Sequence, residues 1–217
     1  VNTSTFTFTA TPSFTATPSF ESEPLTPFEL LIDCAPALAG IQVDCAAVAG
    51  GSAEAAIIVR NNYAPPTGVG AFAFTVLGTS QELLSPVLLP CGGILQFDCN
   101  PDFEVPNVSG NWACGPPNPS PDVNPDPGIA ESFISCFNGA GDGPVLSPGS
   151  STTLARVRYD VAIGVGAATL GLLDASVYDA DFNEILTCNP SLSVYGICSG
   201  ATFTVADGGS ANDSFGS

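Results

Sequence analysis

The 217-residue chain has no histidine and no lysine. Its only cations are Arg60, Arg156 and Arg158, set against 21 acids, which gives a net charge of −18. A surface this negative repels nucleic-acid phosphates and anionic lipid, so no nucleic-acid partner is expected. Without His or Lys, general acid–base work would fall to carboxylates. No Gly-x-Ser-x-Gly elbow, P-loop or dinucleotide fingerprint is present. A glycosidase-type carboxylate pair leaves no local signature, and most of these acids read as solvated face residues. The chain is therefore not read as an enzyme. Its longest nearly apolar run, 161–173, is Gly-rich and short of the ~20 residues that cross a bilayer. The eight cysteines include no CxxC, and with no His beside them they do not form a zinc-ligand pattern.

What is abundant points one way. Gly 23, Pro 20 and 45% hydrophobic residues suit a turn-rich β protein with a real core. An even number of cysteines suits disulfides in an oxidising compartment. Spacing offers four local pairs out of 105 connectivities. They are Cys34 with Cys45, Cys91 with Cys99, Cys114 with Cys136, and Cys188 with Cys198. The first residue is Val1, and a signal peptide removed upstream is the expected reason. The expected location is extracellular.

The N-terminal stretch TFTFTATPSFTATPSF, from Thr5 to Phe20, is the most regular part of the chain. Every odd position carries a hydroxyl and every even position is apolar. As a strand it would be greasy on one face and hydroxylated on the other. Pro12 and Pro18 share a parity, so they spoil one backbone edge only. Fully extended, it would reach about 50 Å. Thr/Pro/Ser-rich composition also fits a disordered, O-glycosylated linker.

Residues 1–23 thus read as an extended tail, and 24–217 as a single disulfide-bonded domain with a Pro-rich insert at 100–130. Strands are expected over Phe28–Cys34, Ile41–Val48, Ala55–Arg60, Ala71–Leu77 and Glu131–Phe137. A further run covers Thr152–Ile163, Ala167–Leu173, Ser176–Tyr178, Ile185–Cys188, Ser193–Ile197 and Ala201–Ala206. In the Ala71–Leu77 strand, Phe72, Phe74 and Val76 share the core face. In Thr152–Ile163 the core face is Ala155, Val157, Tyr159, Val161 and Ile163, with Arg156, Arg158 and Asp160 outside. Many short strands with turns between them argue an all-β fold, a jelly-roll or immunoglobulin-like sandwich of about nine or more strands. The tail adds an extended donor-type strand.

Two stretches resemble cohesin-like modules and the related carbohydrate-binding sandwiches of extracellular proteins. The first is AAIIVRNNYAPPTGVGAFAFTVLGTSQELLSP, Ala55–Pro86. The second is TTLARVRYDVAIGVGAATLGLLDASVYDADFNEI, Thr152–Ile185. The closing GATFTVA resembles the last strand of such modules. The resemblance implies a jelly-roll-like sandwich of about nine strands, and function must still be argued from a site.

Candidate sites follow from local pattern. Asp122, Asn124 and Asp126 alternate, as do Asp179, Asp181 and Asn183. Alternating oxygen ligands suit calcium, the one cofactor the pattern offers. Both loops lack the Gly and Glu of a full EF-hand and also read as plain turns. Asn2, Asn107 and Asn212 are N-glycan acceptors by motif. Trp112, the only tryptophan, reads as a sugar platform or as a buried anchor for the long insert. The leading functional expectation is a secreted filament subunit, with copies of itself as partners. Phe6, Phe8, Phe14 and Phe20 would anchor each tail in a neighbour's groove by strand addition. The alternative is a cohesin-like or carbohydrate-binding module on a glycosylated linker.

Overall fold

The computed structural model describes residues 26–78, 83–90, 98–101, 103–104, 112–114, 130–188 and 197–207. All regular structure there is β. The chain opens with β1 (Phe28–Asp33), β2 (Asp44–Val48), β3 (Ser52–Asn61) and β4 (Thr67–Gly78). Short strands follow: β5 (Leu84–Pro86), β6 (Leu88–Pro90), β7 (Asp98–Pro101), β8 (Phe103–Glu104) and β9 (Trp112–Cys114). Next come β10 (Ala130–Asn138), β11 (Val145–Leu146), β12 (Ser151–Val161) and β13 (Gly166–Asp179). The last three are β14 (Glu184–Thr187), β15 (Ile197–Ser199) and β16 (Ala201–Ala206).

These strands form two large sheets. Sheet A has the order β15-β1-β3-β12-β5, with β8 also on β12. Sheet B has the order β2-β16-β13-β4-β10-β9, with β11 on β4 and β14 on β13. β6 and β7 form a separate ribbon. Neighbours are antiparallel except β1 with β15 and β16 with β2.

The core lies between the sheets because alternate side chains of each strand point there. From sheet A come Leu30, Ile32, Ile57, Val59, Val157 and Tyr159, all nearly inaccessible. Sheet B answers with Phe72, Phe74, Val76, Leu170, Val177 and Phe203. Phe72 and Phe74 stack at 5.5 Å between ring centroids. Burial pushes the Tyr159 hydroxyl well above its ordinary pKa, so it stays neutral. The parity expected for the strands of 71–77 and 152–163 is the parity observed, except that Ile163 lies in the turn after β12 and is exposed.

Three details differ from the expectation. The strand read from Ala71 to Leu77 is longer than expected, running from Thr67 to Gly78 as β4. The strands read as 167–173 and 176–178 are one strand, β13. A bulge at Asp174 and Ala175 interrupts its register with β4. Asp174 takes φ 47°, a left-handed conformation that Asp tolerates better than most residues. Finally, Trp112–Cys114 of the Pro-rich insert is not irregular, because it pairs with β10 at the edge of sheet B.

Disulfides join Cys34 to Cys45 and Cys114 to Cys136, and Cys188 to Cys198. The first ties the end of β1 to β2 across the two sheets. The second staples β9 onto β10.

Candidate protein-docking face

The outer face of sheet B follows from the same parity. With Phe72, Phe74 and Val76 inside, β4 turns Ala71, Ala73, Thr75 and Leu77 outward. With Ile134 and Cys136 inside, β10 turns Phe133, Ser135 and Phe137 outward. On β13, Leu173, Ser176 and Tyr178 face the same way.

Register assembles these residues into rows. Phe137, Ala71 and Tyr178 stand side by side. Ser135, Ala73 and Ser176 form the next row, and Phe133, Thr75 and Leu173 the third. Small residues on the central strand thus make a floor, and large residues on its neighbours make walls. Walls two strands apart stand about 10 Å from each other. The result is a trough along β4, with Phe137 and Tyr178 at one end and Phe133 and Leu173 at the other. Phe137 is 52% exposed, an unusual state for phenylalanine.

These nine positions carry no charge in a chain with 21 acids. Charge stands at the rim. Asp174 is exposed on the bulge beside the trough. The Ser176 hydroxyl donates to Glu184 at 2.9 Å.

The three arginines lie on the other sheet, on its outer face. Arg60 pairs with Glu29 across β1 and β3, its Nε donating to Oε2 at 2.8 Å. Arg156 lies 3.5 Å from Glu54. The cations therefore sit among acids of sheet A, and none stands in the trough of sheet B.

The structure places some of the sequence-based candidates. Asp179 closes its own turn: Oδ1 accepts from the backbone N–H of Asp181 at 2.9 Å and of Asn183 at 2.8 Å. The Asn183 side-chain amide donates to both Asp179 oxygens, at 3.2 and 3.1 Å. Desolvation pushes the Asp179 pKa up, but these donors push it further down, and the net direction is below the ordinary carboxylate range. Such a carboxylate acts as a turn cap. Among the described residues no three His, Cys, Asp or Glu side chains cluster as metal ligands. Trp112 packs on Phe72 with centroids 5.5 Å apart, so it anchors the insert to the core.

Phe6, Phe8, Phe14 and Phe20 lie outside the described residues, as do Cys91, Asn2, Asn107, Asn212, Asp122, Asn124 and Asp126. Cys99 falls in β7, whose side chains are not described. The trough was missed because its walls and floor come from strands some sixty and a hundred residues apart. Only pairing register brings them together.

No protein-family model and no curated protein matches the chain. Solved structures do. The seventh type I cohesin of ScaB from Pseudobacteroides cellulosolvens superposes with a TM-score of 0.53 at 16% identity, over 87% of this chain and 98% of that cohesin. The fold is cohesin-like. The sixth cohesin of Acetivibrio cellulolyticus scaffoldin B gives 0.50 at 10% identity, over 83% of this chain and 100% of its own, and was solved in complex with a Cel5 dockerin variant. A type II cohesin domain from the cellulosome of Acetivibrio cellulolyticus gives 0.50 at 14% identity, over 81% and 94%. Identities this low speak for the cohesin-like sandwich itself and not for its partners.

Proposed function

We propose that the chain is an extracellular, non-catalytic binding module that docks a folded protein partner in the trough of sheet B. The observation that carries this is the uncharged, aromatic-walled surface on a protein of net charge −18. A neutral apolar surface rimmed by charge is what protein interfaces present when the partner is absent. The small floor of Ala71 and Ala73 admits the ridge of a helix, whose side chains repeat at similar spacing along its axis.

The cohesin-like fold supports this reading over the filament as the use of this face. The Acetivibrio cohesin was solved holding a dockerin, a partner unlike itself. Cross-linking cysteines support an oxidising, extracellular setting.

The test is direct binding to a panel of dockerin modules, the Cel5 dockerin among them, by biolayer interferometry. At least one should bind, and Ala73→Arg should weaken it at least tenfold by blocking the trough. Failure of every dockerin to bind, or binding indifferent to Ala73→Arg, overturns the reading.

A further inference from the structure

The seam between the two sheets is open at one place. β1 ends at Asp33, opposite Ala56, so Ser52–Ala55 of β3 run on with no β1 partner. Beyond Asp33 the chain leaves sheet A, where the Cys34 N–H donates to the Gln42 carbonyl, and returns as β2 in sheet B. β2 is the last strand of that sheet, paired to β16 on one side only among the described residues. Two backbone edges therefore border one gap. The gap is a cleft of about 360 Å³ lined by Ala35, Ala37, Ala46, Ala47, Ala53 and Phe203. Its walls are small and apolar. The one carboxylate at its rim, Glu54, is engaged by Arg156.

The cleft lies at one end of the sandwich, and the tail leaves from the other. Phe28 opens β1 opposite Asn61, at the far end of β3. Thr26 and Pro27 are fixed there, their carbonyls accepting from the Asn62 side chain at 2.9 Å and its backbone N–H at 2.8 Å. A tail continuing the line of β1 backwards runs away from its own cleft. In a copy stacked beyond that end in the same orientation, the cleft end comes first.

Both ends also expose large apolar side chains. Val48, Val165 and Ile163, the last 92% exposed, surround the cleft end. Tyr63, Val145 and Phe182 stand exposed at the tail end.

We propose that this cleft is an acceptor site for an extended strand with apolar residues at every second position, supplied by the Thr5–Phe20 segment of a second copy. The even-numbered phenylalanines enter the alanine-lined cleft. The odd-numbered residues, which keep every backbone donor, pair with the free edge of β2 or of β3. Sixteen residues reach about 50 Å, more than the roughly 33 Å length of the ten-residue β3, so one tail can run the length of its neighbour. Because donor and acceptor are at opposite ends, the contact repeats without closing and yields a chain of copies. This site is independent of the trough and does not rest on the docking function.

The experiment uses the full chain with the photoreactive residue p-benzoylphenylalanine at position 14. Equal parts of ¹⁵N-labelled and unlabelled protein are mixed, dissociated, reassembled and irradiated. Mixed-isotope cross-links to peptides containing 44–54 are expected, with head-to-tail chains in negative stain. Ala46→Trp, which fills the cleft, should lower their yield at least tenfold. Ala37→Trp fills it from the other wall and serves if the first variant does not fold. Ala73→Arg, in the trough, should leave the yield unchanged. Cross-links within single-isotope chains only, cross-links to another region, or yields indifferent to both tryptophans overturn the proposal.

Discussion

Asn61 offers a sharp test of how the tail end of the sandwich is held. Its side chain is inaccessible, at the end of β3. Nδ2 donates to the carbonyls of Ala64 and Leu146 at 3.0 Å each, and to Pro65 at 3.3 Å. Oδ1 accepts from the Ala64 N–H at 2.8 Å. One side chain thus closes the β3–β4 turn and binds it to β11. In Asn61→Ala, the exposed Pro65 carbonyl rehydrates. The Leu146 carbonyl and the Ala64 N–H lose their side-chain partner. Two such groups at about 1–3 kcal/mol each give a loss of about 3–4 kcal/mol. With an m-value of about 2 kcal/mol/M, the urea midpoint should fall by roughly 1.5–2 M. Asn61→Asp keeps the shape but turns a carboxylate toward carbonyl oxygens, which raises its folded pKa. Below about pH 4 the group is protonated in both states and the loss is smallest; it grows as pH rises above that value. A midpoint shift under about 0.5 M for Asn61→Ala, or an equal loss for Asn61→Asp at pH 3.5 and pH 7, would refute this account.

Two more outcomes follow from the same geometry. Replacing Cys34 and Cys45 by serine opens a loop of sequence separation 11 and should cost about 3 kcal/mol by loop entropy, read from urea midpoints; a loss below about 1 kcal/mol contradicts it. Asn183→Ala removes the side-chain donor to Asp179, so the carboxyl pKa should move up toward its ordinary value in an NMR titration, and an unmoved pKa would show the cap to be idle. Because the native pKa of Asp179 is depressed, its contribution to stability is present above about pH 4 and is lost as pH falls through the folded value.

Much of the fold was readable because parity is local. Phe72, Phe74 and Val76 alternate with small residues, and their neighbours in sequence alone assign the core face. The same holds for Val157, Tyr159 and Val161. The bulge at Asp174 was not readable, since nothing marks one extra residue within a strand until its partner is known. Trp112–Cys114 reads as loop among prolines, yet a disulfide and a ring contact with Phe72 draw it into sheet B. The trough was the least legible feature. Phe137 and Tyr178 each look like an ordinary strand residue, and only their common neighbour Ala71 makes them walls. The acceptor cleft was hidden for a related reason: it exists because β1 stops short of β3, a mismatch of lengths that no single segment displays.

The placement of the cations has a consequence for resistance to proteolysis. Proteases that cut after basic residues have three addresses in the whole chain, Arg60, Arg156 and Arg158. All three lie inside β3 and β12, neighbouring strands of one sheet. A scissile bond held in a ladder must be pulled out before it can enter a catalytic cleft. Digestion by that class of enzyme therefore has to wait for sheet A to come apart, and every exposed turn of the protein is, to such an enzyme, blank.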